Sequence, residues 1–150
     1  MIRDTIKSAL VDAMKGGERT KTSTIRLIQA AIKNRDIEAR TGKSPADDNT
    51  LIVEVLQKMV KQRRESIDMY VKGGRPELAD IEAAEVVVIE EFLPTMMTDD
   101  ETRAIIETLK AELGAATTKD MGRVIAALKD RHGSTLDMSK ASALVKAALG

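Results

Sequence analysis

The sequence predicts an all-α protein, with an N-terminal four-helix domain joined by a short linker to a C-terminal three-helix domain. Three observations carry this prediction. Apolar residues recur at three- and four-residue spacing along the chain. Glycine, alone or paired, stands where most of these runs stop. No segment alternates with the period of two that a half-buried strand requires. The chain has 150 residues, 43% apolar and 32% charged, enough for one ordinary domain or two small ones with a core that needs neither metal nor disulfide.

In chain order, Ile2, Ile6, Ala9, Leu10, Ala13 and Met14 form the stripe of a first helix, stopped by Gly16-Gly17. Ile25, Ile28, Ala31 and Ile32 mark a second, running from about Thr22 to Arg40 and closed by Gly42. Ser44 then reads as an N-cap, with Pro45 at the first helical position, where its missing N–H costs nothing. The third helix carries Ile52, Leu56, Met59, Ile67 and Tyr70 as far as Gly73-Gly74. Pro76 opens a fourth through Leu78, Ile81, Ile89 and Phe92, and Leu93-Pro94 ends it. The expected domains are 1–94 and 95–150, with a linker from Leu93 to Met97.

Beyond that linker, Thr98 and Glu101 have capping-box spacing, and Asp99, Asp100 and Glu101 lie at the positive end of the helix dipole. This helix runs to about Leu113 and stops at Gly114. Thr117 with Asp120 repeats the cap signature for a helix ending near Gly133, and Asp137 caps a last helix through Leu149.

The third and fourth helices carry an internal check. Arg63 sits in the middle of one apolar stripe and Glu85 in the middle of the other, with Glu82 beside it. Charges at such positions need partners. In an antiparallel hairpin about Gly74, Arg63 lies 11 residues before the turn and Glu85 lies 11 after it, so the two face each other. A structural ion pair is expected, shared with Glu82 and with side chains within about 6 Å.

Composition restricts the chemistry. There is no cysteine and one histidine, His132, which excludes Cys-based metal sites, thiol nucleophiles and any reaction needing two imidazoles. His132 reads as a helix C-terminal residue beside the last carbonyls. Phosphate loops, dinucleotide fingerprints, nucleophile elbows and HExxH are absent. Glu82 and Glu85 have ExxE spacing without the histidine partners of bundle metal sites. No catalytic residue, no metal and no cofactor is expected. Tyr70 and Phe92 are the only aromatic residues, which argues against a reader that stacks bases. No stretch approaches the roughly 20 apolar residues that span a bilayer, and acids at Asp4 and Asp12 make a poor leader. The expectation is a soluble, cytoplasmic protein with no membrane partner.

A net charge of zero hides segregation: residues 1–75 hold 16 basic and 10 acidic side chains, 76–101 hold nine acids and no base, and 102–150 hold eight and five. Such a distribution steers a polyanion toward the two ends. Lys58, Lys61 and Arg64 share the face of the third helix opposite its apolar stripe, suited to phosphates. Glu54, Glu65 and Asp68 lie there too, and Glu54 to Lys58 and Asp68 to Lys72 have the i,i+4 order that supports an exposed helix.

The segment Lys58-Met-Val-Lys61-Gln62-Arg63-Arg64-Glu65-Ser66, then Tyr70, Gly74-Arg75-Pro-Glu-Leu78-Ala79, Glu82, Glu85 and Phe92-Leu93-Pro94, resembles the YqeY family. Asp120-Met121-Gly122-Arg123-Val124 and Leu144-Val145-Lys146-Ala-Ala-Leu149 are similar to its C-terminal signature, and the resemblance departs at Ser134-Thr135-Leu136-Asp137. It implies relation to the tail domain of the B subunit of tRNA-dependent amidotransferases (GatB/YqeY), and so a role in translation. That tail is associated with holding tRNA while a larger domain, for which this chain is too short, performs the chemistry.

The expected function is therefore a tRNA-binding accessory protein without independent catalysis. Lys58, Lys61, Arg64 and Arg75 would form one contact patch, and Lys119, Arg123, Lys129 and Arg131 another. Three alternatives stand beside it: a carbon–nitrogen ligase component using glutamine as amido donor on misacylated tRNA with partner subunits, a module docking on a tRNA synthetase or amidotransferase subunit, and a helix-turn-helix DNA binder.

Overall fold

The computed structural model describes residues 1–42, 44–45 and 47–150. These form seven α-helices and one 3-10 turn, and no strand occurs among the described residues. The helices are α1 (Ile2–Lys15), α2 (Arg19–Thr41), α3 (Asp48–Lys72), α4 (Pro76–Glu90), α5 (Asp99–Leu113), α6 (Met121–His132) and α7 (Met138–Leu149), with the 3-10 turn at Thr118–Asp120. The chain divides into two compact units, Met1–Leu93 and Pro94–Gly150.

In the first unit, the apolar stripes meet in one core, where Ile6, Ile25, Ile28, Ile52, Leu56 and Ile89 are all but fully buried. The turn between α3 and α4 takes Gly74 to φ +73°, a left-handed conformation that glycine adopts without steric cost. The hairpin it closes is the most extensive helix pairing of the unit. α1 and α2 are also antiparallel, Arg3 lying against Asp36 and Met14 against Arg26.

Three expectations need correction. α2 begins at Arg19 rather than Thr22, because its first turn is polar and exposed and so carries no apolar signal. α3 begins at Asp48, and Ser44-Pro45 lies outside it. Asp47 takes the cap, its Oδ2 accepting from Thr50 N and Thr50 Oγ1, both at 3.1 Å; an aspartate directly before the helix meets the free N–H groups where a serine three residues earlier does not. Ile81, assigned to the core stripe of α4, is 58% exposed. α4 is apolar around most of its circumference, so periodicity alone does not choose its inner face.

The second unit has its own core, with Ile106, Leu109, Val124, Leu128, Leu136 and Val145 at its centre. Thr98 and Glu101 form the capping box of α5, Glu101 N donating to Thr98 Oγ1 at 3.1 Å and Thr98 N to Glu101 Oε1 at 3.3 Å. Thr117 and Asp120 do not start α6 directly: they bracket the 3-10 turn, and Asp120 Oδ2 accepts from Ala116 N (3.1 Å) and Thr117 N (3.4 Å). Met97 N donates to Thr135 O at 2.8 Å, tying the entry segment to the loop before α7.

Candidate nucleic-acid interface

The third and fourth helices position the charges of the first unit. Arg63 Nε donates to Glu85 Oε2 at 2.8 Å, and Glu82 Oε2 stands 3.9 Å from the same nitrogen. These three half-buried side chains form a closed set whose guanidinium is consumed within the hairpin.

The exposed cations divide into two kinds. Arg64 Nη2 donates to Glu90 Oε1 at 2.6 Å, and Arg75 lies 3.7 Å from Glu77. Arg123 donates to Asp120 Oδ1 at 2.6 Å and to Leu113 O at 3.3 Å, and Arg131 reaches Glu112 at 2.7 Å. Each of these arginines is already facing a carboxylate. Lys58, Lys61 and Lys119 are exposed with no such partner among the described residues. The expected Glu54–Lys58 contact is replaced by Glu54 at 3.9 Å from Arg35, whereas Lys72 stands 2.9 Å from Asp68.

Helix geometry also separates the patches. Lys58, Lys61 and Arg64 fall within two turns of α3, but Arg75 lies beyond the end of that helix, as the N-cap residue of α4, and α3 itself runs about 12 Å past Arg64. In the second unit, Lys119 lies in the 3-10 turn before α6, Arg123 in the first turn of α6, and Lys129 and Arg131 in its last turn.

The Asp120 carboxyl is held below the usual carboxylate range, first by the Ala116 N–H and then by Arg123 and the Thr117 N–H. That arrangement fixes the turn before α6. His132 ends α6 and its carbonyl accepts from Thr135 N at 3.0 Å.

One charged cluster carries no sequence motif. Arg3 Nη1 and Nη2 donate to the two oxygens of Asp36 at 3.0 Å, and Nε and Nη2 to those of Asp48 at 3.1 and 2.8 Å. Asn49 Oδ1 accepts from Ile2 N at 3.1 Å. Together these bonds fasten the start of α1 to the start of α3 and the side of α2. The only sequence signal is an arginine in a first helical turn, where the dipole disfavours it unless acids surround it.

Among the described residues, no group of three or more histidine, aspartate and glutamate side chains could hold a metal ion, and no helix is long and apolar enough to cross a membrane. A shallow groove between α2 and α4, lined by Ser23, Thr24, Leu27, Ile81 and Ala84, contains no titratable constellation beyond Asp80 and Glu85.

The family model described as Yqey-like protein matches residues 3–149. The chain is 37% identical over 91 residues to "Altered inheritance of mitochondria protein 41, mitochondrial" of Eremothecium gossypii, covering 61% of this chain and 48% of that protein. It is 29% identical over 122 residues to the protein of the same name from Vanderwaltozyma polyspora, covering 77% and 64%. The Candida glabrata protein of that name is 33% identical over 109 residues, covering 71% and 59%. The matched segments thus span about half to two thirds of these relatives. Their names correct the cytoplasmic expectation: relatives of this chain are named as mitochondrial.

Proposed function

The chain belongs to the YqeY family, and from that premise we propose that it is a noncatalytic tRNA-binding accessory protein, similar in role to the tail domain of tRNA-dependent amidotransferases. The observation that carries the reading is the set of exposed lysines without carboxylate partners, Lys58 and Lys61 on α3 and Lys119 before α6. Un-neutralised cations gain most from phosphate, because no existing ion pair has to break and condensed counterions are released from the nucleic acid. Such contacts position a backbone without reading bases, so RNA shape supplies the selectivity. Arg64, Arg75, Arg123 and Arg131 add less, each sharing its charge with an acid. The residue census, with no cysteine and one histidine, supports binding over independent chemistry.

An anisotropy titration with bulk tRNA and a duplex DNA control, at low and near-physiological salt, tests the reading. Preferential tRNA binding that persists near physiological salt is expected. Charge reversal at Lys58, Lys61 and Lys119 is expected to weaken it and to lower the salt slope by about two to three. Binding that is absent, or equal for both polyanions and lost with salt, would overturn the proposal.

A further inference from the structure

The longest line of un-neutralised charge lies on a helix that no motif singles out. Arg19, Arg26, Lys33 and Arg40 recur every seven residues along α2. Seven residues fall about 20° short of two full turns, so the four stay within about 60° of one another over the whole helix. All four are exposed. Among the described residues the Arg26 side chain donates only to Met14 Sδ, at 3.5 Å, and the side chains of the others have no hydrogen-bond or ion-pair partner.

The acids that would ordinarily answer such a row are engaged or turned away. Asp36 is clamped by Arg3, and Glu38 lies about 130° around the helix from the middle of the row. Glu18 precedes the helix as its N-cap residue. By the register of Arg3 with Asp36 and Met14 with Arg26, Lys7 of α1 stands opposite the Lys33 turn, so the adjacent helix adds a cation there.

We propose that this face of α2 is a track for the phosphate backbone of RNA. It rests on the tRNA-binding reading and relocates its main contact from α3 to α2. The cations are spaced by about 10.5 Å and the row is about 31 Å long. With one phosphate per roughly 3.4 Å of a stacked strand, each cation meets about every third phosphate. The row stands on a rigid, core-packed helix, so the backbone is already ordered and only the side chains have to be fixed on binding. The core side of α2 is buried, and its two half-exposed large apolar residues, Leu27 and Ile37, stand about 15 Å apart along the helix and form no continuous apolar face to insert into a lipid surface, which favours RNA over an anionic membrane.

The test is a titration of the full chain with fluorescein-labelled bulk tRNA and, separately, with phosphatidylserine vesicles. Three proteins are compared: wild type, an α2 variant (Arg19→Glu, Arg26→Glu, Lys33→Glu, Arg40→Glu) and an α3/α6 variant (Lys58→Glu, Lys61→Glu, Lys119→Glu). A fourth, with the α2 arginines and lysine changed to Gln, guards against misfolding by accumulated negative charge. The α2 variants are expected to lose at least about tenfold in tRNA affinity near physiological salt, with a salt slope lower by about three and an unchanged melting temperature. They are expected to lose more than the α3/α6 variant. Wild-type binding that both α2 variants retain within twofold would overturn the α2 track and leave the tRNA-binding reading standing. Absence of tRNA binding by the wild type would overturn that reading and the track with it, as would vesicle binding stronger than tRNA binding.

Discussion

Arg63 Nε and Glu85 Oε2 stand 2.8 Å apart across the α3–α4 hairpin, 15% and 20% exposed, with Glu82 as a second acceptor at 3.9 Å. The pair joins two apolar stripes, so removing one partner strands a charge inside the packing. Arg63→Met is expected to cost about 2 kcal/mol, below the roughly 3–5 kcal/mol of fully buried pairs because water still reaches both groups. The double variant R63M/E85L should recover most of the loss. Urea denaturation of the four proteins of the cycle measures it, and a single variant as stable as wild type would show the pair to be energetically idle.

The Arg3–Asp48 contact makes stability depend on acid. The hydrogen bond from Arg3 holds the Asp48 carboxyl below its ordinary value of 3.8, and the bonds to Asp48 and Asp36 raise Arg3. A carboxyl whose folded-state pKa is depressed contributes its full stabilisation above the unfolded value and loses it as pH falls through the folded one. Asp48→Asn is therefore expected to be less stable at neutral pH and to show a flatter decline between about pH 4 and pH 2. Melting temperatures across that range decide it.

Ile81 and Ile89 sit eight residues apart on α4, 58% exposed and fully buried respectively. Ile89→Ala is expected to cost about 2–4 kcal/mol through lost packing and a cavity, and Ile81→Ala less than about 0.5 kcal/mol. Equal costs in chemical denaturation would mean that Ile81 is covered in solution.

Gly114 closes α5 at φ +64°. A Cβ there meets nothing within 4 Å, so the cost of substitution is conformational rather than steric crowding by neighbours. Gly114→Ala is expected to destabilise by about 1 kcal/mol, read from amide exchange in α5 and α6.

Glu90 neutralises the exposed Arg64 at 2.6 Å. If phosphate is the natural ligand of this face, Glu90→Gln should raise tRNA affinity by about two- to threefold, the scale of an exposed ion pair. A decrease in affinity would place Arg64 outside the contact.

The helices were legible in the sequence because their signals are local: apolar spacing, glycine stops, and the Thr98–Glu101 box. The opposition of Arg63 and Glu85 was legible too, since two charges equidistant from a glycine turn meet in any antiparallel hairpin. Family membership lay in the order of short motifs along the chain. Where local signals were weak or duplicated, tertiary structure decided. The polar first turn of α2 and the choice of Asp47 over Ser44 depended on which residue met the free N–H groups. The inner face of α4 depended on which side α2 and α3 cover.

Charge pairing beyond a helical turn was decided largely by the fold. Sequence identified Lys58, Lys61, Arg64, Arg75, Lys119, Arg123, Lys129 and Arg131 as cations; Arg75 and Arg123 meet acids two and three residues away, Glu77 and Asp120, but for others availability depends on acids brought from distant segments. Glu90 comes 26 residues after Arg64, Glu112 comes 19 before Arg131, and Asp36 and Asp48 converge on Arg3 from 33 and 45 residues away. The same packing that consumed those charges left the α2 row unanswered. Spacing along the chain sets which residues share a helix face, and only the packing of one helix against another sets which of their charges remain for a ligand.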